Sequence, residues 1–150
     1  LRVGLPTRAP AEIEDLTRGR MQRQSILTAE RPPRFLVILD EAVLRRPFGG
    51  REIIRRQIAR LLEVSEEQHI SIRLVPFDTE QHPGLSEPFS LYSVYDKGAI
   101  AYVETRRSGT ATDEFDTVDD YTRLFGDLLG VALPETASRK LITEIQGEFS

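Results

Sequence analysis

The sequence has no cysteine among its 150 residues, so disulfides, thiolate metal sites and cysteine nucleophiles are excluded. It has no tryptophan and two histidines, His69 and His82. "EEQHI", around His69, resembles half of a zinc-peptidase signature but lacks the second histidine. Lysine is nearly missing too, with only Lys97 and Lys140, so the positive charge is carried by arginine, which suits planar bidentate pairing. No apolar run approaches the roughly 20 residues of a membrane helix. The start carries no basic segment, apolar segment and cleavage site in series. These absences fit a cytoplasmic protein with no metal and no cofactor. The net charge of −4 argues against direct contact with nucleic acid.

Thirty-nine per cent apolar and 29% charged residues make an ordinary globular composition, and the length fits one domain. The chain opens on Leu1, not methionine, which reads as a piece of a longer protein. Residues 1–9, with two prolines and a glycine in the opening "LRVGLPTRAP", read as a linker, and 10–150 as a single domain.

Hydrophobic periodicity places a helix over residues 10–27, begun by Pro10 and crowded with Arg18, Arg20 and Arg23. "FLVIL", residues 35–39, reads as a central strand covered on both faces. Residues 51–67 form an amphipathic helix with Ile53, Ile54, Ile58, Leu61 and Leu62 in one stripe. The next strand begins near Ile70, and a helix-bearing connection of this size implies a right-handed parallel crossover. Residues 89–95 and 99–105 form a hairpin about "DKG", with a weak edge strand near Thr110. Asp116 caps a helix that Gly130 ends, built on Val118, Tyr121, Leu124, Phe125 and Leu128. Pro134 opens a last helix with Ala137, Leu141, Ile145 and Phe149 inward. The fold class is α/β with a mixed sheet: a parallel βαβ unit, then an antiparallel hairpin, with one N-terminal and two C-terminal helices packed on the sheet.

Chemistry is sparse. Ser86 follows His82 by four residues, without a nucleophile-elbow pattern. Asp40 and Glu41 end the first strand and Glu104 a later one, where open α/β sheets tend to build sites. Such carboxylates more often cap helices or pair with arginine. "RRPFGG" could present backbone N–H groups to a phosphate, but no P-loop or dinucleotide fingerprint accompanies it, and the glycines equally serve a tight turn.

Three stretches in order, "RMQRQSIL", "LDEAVLRRPFGGREIIRRQIARLLE" and "VPFDTEQHPGLSEPFSLY" leading to "AYVE", with "ALPETASRKLITEI" near the end, carry a resemblance. The chain resembles the bacterial domain of unknown function that commonly follows an XRE-type helix-turn-helix in actinobacterial regulators. The loop before "HPG" departs from that family's usual small residue, with Glu80 in "DTEQ". The resemblance implies a non-enzymatic role in transcription regulation. Its partners would be an attached N-terminal DNA-binding domain and a small partner protein or small-molecule effector, with no membrane, and homodimerisation as a third reading. The family brings no ligand or catalytic residue with it; by analogy with sites at strand ends in open α/β folds, a site is expected between two segments. The first is the corner with Glu41, Arg45, Arg46, Gly49 and Gly50. The second is the loop with His82, Pro83, Gly84 and Phe89, adjoined by Tyr102 and Glu104. The competing reading is a degenerate enzyme using Asp40, Glu41, His82 and Glu104.

Overall fold

The computed structural model describes residues 9–84, 87–104 and 108–150. Ser86 and the opening linker segment 1–8 lie outside them. The chain divides into two compact units. One runs through Arg73 and resumes at Pro134–Ser150; the other is Leu74–Leu133.

The first unit begins with helix α1 (Pro10–Arg23), whose N-terminal Ala9 N–H is taken by the Glu12 carboxylate at 3.2 Å. A 3₁₀ segment, Gln24–Thr28, follows. Strand β1 (Phe35–Asp40) pairs in parallel with β2 (Ile70–Val75), and their register opens with the Phe35 N–H donating to the His69 carbonyl at 2.8 Å. Between them lie the short α2 (Glu41–Arg45) and the long α3 (Arg51–Val64). The βαβ expectation therefore holds. The parallel and antiparallel strands, however, form two separate sheets. Among the described residues β1 has β2 as its one neighbour, so its side chains are mostly half-buried and Leu36 is exposed.

Helix α5 (Glu135–Glu148) returns to pack on α3. Ile54 and Ile58 of α3, and Ser138, Ile142 and Ile145 of α5, are the buried residues of the two helices. Two details differ from the sequence reading. Ile53 is 53% exposed, because it lies about 100° around the helix from Ile54. In α5 the buried stripe is 138, 142 and 145, while Ala137 and Leu141 are half-buried. Arg139 ties the helices' flank to the end of α3 by pairing with Glu66 and donating to the Ser65 hydroxyl at 3.3 Å.

The second unit holds an antiparallel sheet in the order β3 (Phe89–Val94), β4 (Gly98–Glu104), β5 (Gly109–Thr112). The β3–β4 turn is closed by the Lys97 N–H donating to the Val94 carbonyl at 3.0 Å, with Asp96 at φ 63° and Gly98 at φ 76°. Asp96 is of the residue class that accepts this left-handed backbone. Helix α4 (Phe115–Val131) packs on β3 and β4. Its N-cap is Glu114, not Asp116, which lies in the first turn. Gly130 does not end it; the helix continues through Val131. The Leu133 N–H then donates to the Leu74 carbonyl at 2.8 Å.

Among the described residues, no helix is long and apolar enough to cross a membrane.

Candidate functional site

In the first unit, "DEAVLRRPFGG" turns the end of β1 into two helices. Asp40 caps α2 by accepting the Ala42 N–H at 2.6 Å. Glu41 follows, a buried carboxylate with its side chain 7% exposed. Arg45, one turn on, donates through Nε to Glu41 Oε1 at 2.6 Å. The same guanidinium reaches Glu148 at the end of α5, with 2.8 and 2.7 Å to its two carboxylate oxygens. Hydrogen bonds to Glu148 and then Glu41 hold the Arg45 pKa above the ordinary guanidinium value. Arg51 adds a second clasp, donating to the Glu148 carbonyl at 2.6 Å with its guanidinium 5.6 Å from the Phe149 ring centre. Arg46 ends α2 on the exposed surface.

The glycine pair is conformational. Gly49 and Gly50 have φ 77° and 101°. Gly50, at ψ 165°, occupies a region essentially reserved for glycine and caps α3. Such a turn lets α2 and α3 meet at a sharp corner. The corner thus receives the chain's own last helix.

In the second unit, the His82–Gly84 turn is held by the Gly84 N–H donating to His82 Nδ1 at 3.1 Å. That bond assigns the proton of the neutral ring to Nε2. Gly84 sits hard against α4: a Cβ there would lie 2.9 Å from Leu128 Cδ2. Phe89 packs with its ring centre 4.8 Å from that of Tyr121 and 6.5 Å from that of Phe125, so its half-buried ring joins the sheet to α4. Strand register decides the rest. Phe89 pairs with Val103, so Tyr102 and Glu104 project from the opposite face. On that far face Tyr102 lies across Gly109, where a Cβ would clash with its ring. The structure therefore gathers His82, Pro83, Gly84 and Phe89 on the α4 side and places Tyr102 and Glu104 on the other. His82 and Glu104, paired in the enzyme reading, are on opposite sides of this sheet.

The sequence reading missed the wall facing the turn. Gln81, His82 and Pro83 border an open depression of about 490 Å³ whose other side is Gly126, Asp127, Gly130 and Val131 of α4. The signal was present in "FGDLLG": glycines four apart share one helix face. Among the described residues no group of three or more His, Cys, Asp or Glu is placed to hold a metal ion.

Tyr121 gives this unit a pH marker. Burial, and then its 3.1 Å hydrogen bond to Glu87, raise its phenol above the usual value. The raised pKa means that Tyr121 contributes stability below the ordinary tyrosine range, lost as pH climbs through the folded value. An ultraviolet titration should show a late-ionising phenol that is missing in Tyr121→Phe. An unchanged titration in the variant would refute the assignment.

No curated protein and no solved structure matches the chain. A family match does, and covers residues 1–144. With nearly the whole sequence inside that match, both units included, the chain belongs to the DUF5753 family, a domain of unknown function.

Proposed function

We propose that this chain is a non-enzymatic regulatory domain of an XRE-type DNA-binding transcriptional regulator, of the actinobacterial kind, acting in the cytoplasm. In this reading it sets the regulator's state by binding a partner protein at the depression between the His82 turn and α4.

The supporting observation is the glycine pair in α4. Glycine inside a helix costs about 0.8–1.0 kcal/mol relative to alanine. At Gly126 and Gly130 a Cβ would meet nothing within 4 Å among the described residues, so packing among those residues does not call for glycine. A surface kept low at the expense of its own helix suits a docking site. Its open form favours a side chain or loop of a protein over a small molecule, which is normally enclosed on most sides. For the regulator to respond, the partner must bind one of its states more tightly than another.

The test is capture of the tagged full-length regulator from its native cells, with mass spectrometry of bound proteins and small molecules. The control is Gly126→Leu, which fills the depression and should raise, not lower, the melting temperature. The expected result is a stoichiometric partner protein bound to the wild type and lost from the variant. A retained metabolite with no protein would overturn partner docking in favour of effector sensing. A partner held equally by both chains would remove the depression from the mechanism.

A further inference from the structure

We propose that two copies of this chain pair edge to edge through β3, antiparallel about a twofold axis at Tyr92, joining their three-stranded sheets into one continuous sheet. The inference does not rest on the regulatory reading.

β3 ends the strand order β3-β4-β5, so among the described strands one side of its backbone has no neighbour. Edge strands that stay single are usually guarded by shortness, charge, proline or a bulge. The opposite edge, β5, has such guards. It is four residues long, opens on Gly109 and runs into Asp113 and Glu114. β3 has such residues only at its ends, Glu87 and Pro88 before it and Asp96 after it; within the strand, "FSLYSV" is six residues without charge, proline or glycine. Two of its three outward side chains are large and apolar, with Tyr92 52% and Val94 40% exposed, and the third is Ser90. Tyr95, at the adjoining turn, is 92% exposed.

The occupant that this strand fits is itself. A twofold axis perpendicular to the sheet keeps both α4 helices on one side. It therefore requires a register in which one residue faces its own copy. With Tyr92 on the axis, the two Tyr92 rings meet on the far face, flanked by Ser90 opposite Val94 of the second copy. On the α4 face Leu91 meets Ser93. The axial Tyr92 pair is of the aromatic kind that favours such a ladder, and no like charges face one another, which is the usual obstacle to pairing a strand with its copy.

The absence of cysteine makes the test clean, since any introduced thiol is unique. In this register only the axial residue lies about 4.5–5.5 Å, Cα to Cα, from its own copy, within the roughly 4.4–6.8 Å span of a disulfide. Residues two positions away are separated from their copies by about 13 Å. The full chain carrying Ser90→Cys, Tyr92→Cys or Val94→Cys is oxidised mildly and its disulfide-linked dimer measured. The yield should peak at position 92. Sedimentation equilibrium of the unmodified chain should show a concentration-dependent dimer, weakened at least tenfold by Tyr92→Lys. Circular dichroism should confirm that this exposed substitution leaves the fold intact. A chain that stays monomeric at several hundred micromolar, equal disulfide yields at the three positions, or a dimer indifferent to Tyr92→Lys would each overturn the proposal.

Discussion

Replacing Arg45 by alanine is expected to destabilise the first unit by roughly 3 kcal/mol. Breaking a buried ion pair from one side costs about 3–5 kcal/mol, because the remaining charge stays in a poorly solvated place. Glu41 is that charge, and the partial exposure of Arg45, at 36%, puts the estimate at the low end. For a chain of this size, each kcal/mol shifts the melting temperature by about 2–4 °C, so a fall of roughly 6–12 °C should be seen in a thermal melt. The decisive companion is Glu41→Leu combined with Arg45→Leu. Removing both charges leaves apolar side chains of useful volume and should recover most of the loss. Glu148→Ala should cost less than Arg45→Ala, since its side chain is 52% exposed and leaves no buried charge behind. An Arg45→Ala loss below about 1 kcal/mol, the ordinary worth of an exposed pair, would mean that the corner does not depend on this clasp.

Ile58→Ala should be of similar or greater size, roughly 2–5 kcal/mol. Ile58 is fully buried, on the α3 stripe beside Ile54, and the helix packs against α5. Truncation removes transfer free energy and leaves a cavity that neighbouring helices close only in part. The matching control is Ile53→Ala, identical in chemistry and 53% exposed, which should fall within about 0.5 kcal/mol of the parent. Chemical denaturation of the two variants side by side reads the difference. Equal effects would put the packed face of α3 elsewhere.

The comparison of those two isoleucines also shows where periodicity stops being informative. The sequence pattern of α3 marks a helix and the side it buries. The apolar stripe in the sequence is nevertheless wider than the packed seam, and nothing local says which edge of it meets α5. Elements whose signals are local were legible: the βαβ spacing, the "DKG" hairpin and the short edge strand all appear. The α4 start was misplaced because "TDEFD" offers several capping residues in a row, and the cap falls on Glu114, not Asp116.

The site was legible only in parts. Glu41 and Arg45 are one helical turn apart, so their pairing follows from spacing. Glu148, 103 residues away from Arg45, has no such signature. Tyr102 and Phe89 were assigned to one pocket although the strand register sends them to opposite faces. That parity depends on the turn length, which composition alone leaves free. Gly130 was visible but read as the helix terminator, and that reading hid the face it shares with Gly126.

The return of α5 to the first unit has a consequence for the order of synthesis. A ribosome finishes Leu74–Leu133 as one uninterrupted stretch, and its contacts can close as soon as it emerges. The flanking unit must wait. Until Pro134–Ser150 is made, the α3 seam has no cover from α5 and the Arg45 guanidinium has no Glu148. The residues before Leu74 are therefore among the last of this unit to settle, and a nascent chain arrested before Pro134 carries a closed Leu74–Leu133 unit behind a first unit that still lacks its second part.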